Sequence, residues 1–225
     1  KALTGRGPRM VGRATGRVAG PPRSANGASS FHLMWDLPGS PARRRVVEVA
    51  ATLEILALPQ TDDLYFWALQ VDLADARGIW GGAHTGLQWN RRYPDGRAVN
   101  WGGYHSGERG GGVLSGSVSD LQGFADDPHT LAYAWELGRP YRLRVFASPD
   151  VPGAWRAAVT DLLADETVVI RDLFPPPGRG GEPGYLARPL VWSEVFADCD
   201  APSVAVRWSA LTAVDASGTV LSPEA

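Results

Sequence analysis

The sequence predicts a single antiparallel β-sandwich domain. Three observations carry that expectation. Apolar and polar residues alternate at period two through most of the chain, Gly, Pro, Asn and Asp break the alternation into short segments, and helical periodicity is nearly absent. About eleven short strands with recurrent turn signals belong to a sandwich or a barrel.

The strands follow in order. Phe31–Leu37 sets Phe31, Leu33, Trp35 and Leu37 on one face, against His32, Met34 and Asp36. Val46–Leu56 turns Val47, Val49, Ala51, Leu53 and Ile55 inward. Tyr65–Leu73 buries Tyr65, Trp67, Leu69, Val71 and Leu73 and turns Gln70 and Asp72 the other way. Ile79–Asn90, Ala98–His105, Val113–Leu121, Leu131–Leu137 and Tyr141–Ala147 continue the pattern. Trp155–Asp161 and Thr167–Leu173 form a hairpin, and Leu190–Asp198 and Ser203–Ser209 close the series. Phe174–Gly184 carries too many prolines to pair as a central strand, because proline has no N–H to give a ladder, and it reads with Ser106–Gly112 as loop. The sandwich is expected over residues 30–218, after a basic, Gly/Pro-rich arm (1–29) and before a short tail (219–225).

Composition narrows the function classes. At 44% apolar, with nine tryptophans in 225 residues, the chain has ample material for a core. A net charge of −2 and a pI near 6.1 argue against nucleic acid as a partner, which requires a basic surface to displace counterions. The exception is the arm, where Lys1, Arg6, Arg9, Arg13, Arg17 and Arg23 precede the first acidic residue, Asp36; it reads as a solvated leader. Lys1 is the sole lysine among 22 basic residues, the codon bias of a GC-rich genome of the actinobacterial kind. No stretch reaches the ~18 apolar residues of a membrane span, and residues 1–25 lack the apolar centre of an export signal, so no membrane partner is expected. The one cysteine, Cys199, admits no internal disulfide and fits the cytoplasm without excluding export, so the compartment stays open.

The densest chemical signal is Gly78-Ile-Trp-Gly-Gly-Ala-His-Thr-Gly-Leu-Gln-Trp-Asn90. At strand period, Trp80, Gly82, His84, Gly86, Gln88 and Asn90 share one face, and Gly81, Ala83, Thr85, Leu87 and Trp89 suit the core. Glycine within a strand often marks close approach of a ligand to the backbone. An aromatic beside amide and imidazole groups is a mixture that holds sugars and other polyhydroxylated molecules. Gln70 on the preceding strand and Asn100 and Tyr104 on the following one extend this face if the three strands are neighbours.

The order of several motifs resembles a known family. Ser30-Phe-His32-Leu33 comes first, then Gly86-Leu87-Gln88 and Tyr141-Arg-Leu-Arg-Val. Trp155 leading into Val159-Thr-Asp161-Leu follows, and Trp192-Ser-Glu194-Val-Phe ends the series. The chain is similar, from about Ser30 to Trp208, to a bacterial family of uncharacterised concanavalin-like, jelly-roll β-sandwich proteins. The resemblance implies that fold. Related sandwiches commonly bind or cleave carbohydrates, which is an analogy between folds.

The leading functional expectation is recognition of a carbohydrate-type ligand by Trp80, Gln70, Gln88, Asn100, Arg142 and Arg144 on one concave face, with no cofactor. The alternative is a cofactor-free lyase, glycoside hydrolase or natural-product cyclase in the same cup. There His84 or His105 is the base, Tyr104 a proton donor, Glu194 a carboxyl acid, and Arg142 or Arg144 an oxyanion or carboxylate partner. Glu48, Glu54 and Asp161 are possible partners for Glu194 in a carboxylate pair. A third possibility is an interaction module using edge strands or the arm. No metal site is expected: His32, His84, His105 and His129 are dispersed, and Asp198 and Asp200 alone make a weak calcium motif. Nucleophile elbows, phosphate loops and zinc-protease helices are absent from the sequence.

Overall fold

The computed structural model describes residues 19–105, 111–179 and 184–223. Two antiparallel sheets face each other across one core, in a single-domain, nearly all-β sandwich. The strands are β1 (Ser29–Met34), β2 (Val46–Ala57), β3 (Tyr65–Asp75), β4 (Gly78–Trp89), β5 (Arg97–Tyr104), β6 (Gly123–Phe124) and β7 (Asp127–Ala132). They continue as β8 (Pro140–Ala147), β9 (Trp155–Asp161), β10 (Glu166–Leu173), β11 (Tyr185–Val195), β12 (Ala205–Asp215) and β13 (Val220–Leu221). The seven-stranded sheet runs β1-β11-β3-β4-β5-β7-β6 and the six-stranded sheet β10-β9-β8-β2-β12-β13. One helical turn (Pro41–Arg44) and a 3-10 turn (Pro94–Gly96) are the helical pieces among the described residues.

Alternation decides what faces inward. Tyr65, Trp67, Leu69, Val71 and Leu73 of β3 meet Val49, Ala51, Leu53 and Ile55 of β2 and Tyr141, Leu143 and Val145 of β8, all essentially inaccessible. Burying a large apolar side chain contributes roughly 1.5–3 kcal/mol, so this layer supplies much of the drive to fold. Buried tryptophans also use their single donor: Trp101 Nε1–H bonds the Trp155 carbonyl at 3.1 Å, and Trp135 Nε1–H bonds the Gln88 carbonyl at 3.0 Å. The second bond ties the loop after β7 to the strand that carries the Gly-rich motif.

Several expectations change. β1 pairs β11 as an edge, and none of its residues is buried: Phe31 and Leu33 face solvent, although Trp35 is 6% exposed just beyond the strand. Residues 113–121 form only isolated bridges, at Val113 and Gly116, since alternation there lacks a continuous partner strand. Val46, rather than Val47, is the buried start of β2, because a bulge shifts its pairing with β12. Leu162–Ala164 is a turn between β9 and β10, capped by Asp161 Oδ1 accepting from the backbone N–H groups of Leu163 and Ala164. Lys1 through Arg17 of the basic arm, and Ser106–Gly110, lie outside the described residues.

Candidate functional site

A groove of about 690 Å³ lies on the outer face of the seven-stranded sheet. That is within the range of small-molecule sites, about 300–1,000 Å³. Its floor follows from strand register. One row runs Trp192, Ala68, Gly86, Asn100, Thr130 across β11, β3, β4, β5 and β7. The row to one side holds Glu194, Phe66 and Gln88, and the row to the other holds Gln70, His84 and Gly102. Asp72, Gly82 and Tyr104 form the next row. The middle row is lowered by Ala68 and Gly86, so longer polar side chains stand on both sides of a shallow centre.

The glycines work differently from the simple expectation of open space. A Cβ at Gly86 collides with the Trp67 carbonyl and with Ala68, so glycine there lets β4 lie close against β3. A Cβ at Gly102 comes within 3.0 Å of the His129 side chain, so that glycine makes room for an imidazole. Only at Gly82, where the nearest groove atom is Asp72 Oδ1 at 3.6 Å, does the missing side chain leave free room beside the groove.

Three polar groups are held in fixed orientations. Trp192 Nε1–H, which can only donate, bonds Gln70 Oε1 at 3.0 Å, and the Gln70 amide N–H₂ has no partner among the described residues. Tyr93 O–H, from the β4–β5 turn, donates to Gln88 Oε1 at 2.8 Å, and the N–H₂ of that amide likewise has no partner among the described residues. Arg171 reaches from β10 in the other sheet and donates from Nη1 to His129 Nδ1 at 3.2 Å. An arginine cannot accept, so neutral His129 carries its proton on Nε2. Burial, with the Arg171 charge adding to it, lowers the His129 pKa against the pull of Asp127.

A second layer surrounds these groups. Thr130 O–H donates to Asp127 Oδ2 at 2.6 Å, and Asn100 Nδ2–H donates to Thr130 Oγ1 at 3.4 Å. Asn100 is 5% exposed, and its Oδ1 has no donor among the described residues. Asn26 Nδ2–H donates to Glu194 Oε1 at 2.6 Å at the groove edge.

His84 stands edge-on to Phe66 (5.5 Å between ring centres) and to Trp192 (5.7 Å), and Phe66 and Trp192 meet at 4.8 Å. Desolvation, with His129 nearby, drives the His84 pKa down to about 4, so the ring is neutral at pH 7. Asp72 is 6% exposed and bonded by Arg188; desolvation outweighs that partner and raises its pKa.

Of the residues singled out in the sequence, Gln70, His84, Gln88, Asn100, Tyr104 and Glu194 line the groove together. Trp80 does not. A bulge in the β3–β4 pairing, where Leu73 meets Gly81 but Ala74 meets Ile79, turns Trp80 from the His84 face into the core. Arg142 and Arg144 belong to β8 in the six-stranded sheet. Arg142 bonds Thr52, Thr212 and the Ala210 carbonyl, and Arg144 pairs with Glu48 at 2.7 Å, on the opposite side of the sandwich. His105 follows β5 with its exposed side chain outside the groove lining, the parity opposite to that of Tyr104. Glu48 and Glu54, on β2, pair with Arg144 of β8 and Arg207 of β12, and Asp161 pairs with Arg139, so none stands near Glu194.

Asp72, Asp127, His129, Phe66 and Trp192 also line the groove, with Asn26 and His32 at its edge, and were not singled out as site residues. The alternation of β3 already set Asp72 beside Gln70, and Trp192 shares its face with Glu194. His129 had no such signal, because β7 is short and opens with Asp127-Pro128. No group of three or more metal-ligating side chains forms among the described residues.

No protein-family model matches the sequence, and no curated protein matches it significantly. Solved structures with a similar arrangement include a Scytalido-glutamic peptidase with a peptide-based transition-state analogue (TM-score 0.41, 12% identity, 84% of this chain and 80% of that one). An alginate lyase from Pseudomonas aeruginosa gives a TM-score of 0.35 at 15% identity, covering 88% and 81% of the two chains. Peanut lectin with a nine-residue peptide gives 0.32 at 11% identity, covering 80% and 98%. At this level of similarity they say nothing about chemistry in this chain.

Proposed function

We propose that the protein recognises a carbohydrate-type, polyhydroxylated ligand in the groove of its seven-stranded sheet, as a member of a family of uncharacterised concanavalin-like sandwiches. The observation that supports this reading most is the set of oriented amides and imidazole around a floor of small residues. Gln70, Gln88 and His129 each give one hydrogen-bonding end to the protein and keep a donor for a ligand. Preset donors of this kind suit a ligand dense in oxygen acceptors and reduce the ordering cost of binding.

Glycan-array screening followed by calorimetry tests it. At least one glycan class is expected to bind, with affinity reduced about tenfold or more in Gln70→Ala, since a hydrogen bond to a buried partner is lost. Absence of binding to every glycan rejects the proposal.

A second reading, a cofactor-free lyase, glycoside hydrolase or cyclase, is favoured by Asp72. A carboxyl group with a raised pKa, in the row shared by Gly82 and the exposed Tyr104, has the character of a general acid. Release of reducing ends or unsaturated products from a bound glycan, abolished in Asp72→Asn, would establish it. Binding without turnover leaves recognition as the function.

A further inference from the structure

The orientation of the donors and the charges around them define the ligand class more narrowly than polyhydroxylation does; this inference rests on the proposed glycan recognition. Three carboxylates, Asp72, Asp127 and Glu194, line the groove, and no arginine or lysine does so among the described residues. The nearest cations lie outside the lining and already have partners: the exposed Arg188 on Asp72, Arg92 on Asp126 and beside Asp127, and the buried Arg171 on His129. A ligand carboxylate or sulfate therefore meets like charge with no unpaired cation in the lining, which disfavours an anion. The oriented donors, on Gln70, Gln88 and His129, are neutral N–H groups.

A neutral group that accepts strongly and also carries an N–H matches both sides of this inventory. The carbonyl of such a group meets the amide N–H₂ of Gln70 or Gln88, or the Nε2–H of His129. Its N–H answers the Glu194 carboxylate at the groove edge, which among the described residues accepts only from Asn26. The Phe66 and Trp192 rings, next to Gln70 and Gln88, provide an apolar neighbour for a small methyl. We infer that the groove selects N-acylated amino sugars, binding acetamido groups at the oriented N–H donors of Gln70, Gln88 or His129.

The test is calorimetric titration of the whole chain with equal-length oligomers of N-acetylglucosamine, glucose and glucuronate at pH 7. The N-acetylglucosamine oligomer is expected to bind about tenfold tighter than the glucose oligomer and at least as much tighter than glucuronate, the magnitude of one unmet polar contact. Gln70→Glu and Gln88→Glu keep shape and still accept from Trp192 and Tyr93, yet replace N–H₂ by a carboxylate. Each is expected to reduce the acetamido-over-glucose preference by about threefold or more, whatever its effect on overall affinity, and an unchanged ratio in both variants overturns the inference. Glucuronate binding as tightly as the acetamido oligomer, or glucose binding equally well, overturns the inference and leaves glycan recognition standing. Failure of all three sugars, together with failure across the wider glycan array, overturns both; binding of a neutral peptide amide alone does the same.

Discussion

Trp192 on β11 donates its indole N–H to Oε1 of Gln70 on β3 at 3.0 Å, so a nearly buried aromatic fixes which end of the amide is engaged and which is left to the groove. The same arrangement recurs at Tyr93–Gln88 and at Arg171–His129. In each pair the outer partner fixes the donor state of the inner one.

Replacing Trp192 by Phe removes that donor and keeps most of the apolar packing. The Gln70 amide then rotates freely, and ligand affinity is expected to fall about five- to tenfold, with a stability loss of roughly 1–2 kcal/mol. Calorimetry and denaturant unfolding separate the two effects. An unchanged affinity would show that Gln70 needs no orienting partner.

Arg171 is 8% exposed and has no carboxylate partner among the described residues. Arg171→Met removes a positive charge that disfavours imidazolium, so the His129 pKa is expected to rise, and its proton no longer needs to stay on Nε2. Imidazole nitrogen shifts followed by NMR through pH 4–8 report both changes. Because a buried unpaired charge is costly, global stability is expected to fall little or to increase.

His84 produces a pH dependence with a defined sign. Its folded pKa, about 4, lies below the ordinary 6.5, so the unfolded chain binds the extra proton first as pH falls. Stability is therefore expected to be fully present above pH 6.5 and to decline between about 6.5 and 4, by at most about 3 kcal/mol for a shift of this size. Urea unfolding at intervals across that window measures the slope. His84→Gln should flatten it, and an unchanged slope in the variant would assign the pH effect elsewhere.

Trp80 distinguishes core from site. Trp80→Ala is expected to cost roughly 3–5 kcal/mol of stability, as for other buried tryptophans, without a specific change in ligand affinity at temperatures where the variant is folded. On the opposite sheet, Arg144→Ala loses a partly exposed pair with Glu48 and is expected to change stability by less than about 1 kcal/mol and affinity not at all.

Side-chain period carried far into the fold and stopped where pairing begins. Alternation placed Trp67, Leu69 and Val71 in the core and put Gln70, His84 and Gln88 on outward faces, because period two is a local property of an extended backbone. It failed at Trp80, where one bulged residue reverses every face beyond it. It was silent on sheet membership. Arg142 and Arg144 do face outward, but only the jump of β8 into the six-stranded sheet reveals that they point away from the groove. His129 and Arg171 meet across the two sheets from β7 and β10, a pairing fixed by topology rather than by any local pattern.

The central claim, that the face built on Gln70, Gln88 and Trp192 holds a glycan, is tested most directly by NMR titration with N-acetylglucosamine oligomers, following the side-chain N–H signals of these three residues. Saturable shifts of the Gln70 and Gln88 amides, with a smaller shift at the Trp192 indole, are the predicted result. Shifts confined to the Arg142–Arg144 face, or none at any ligand concentration, would contradict it.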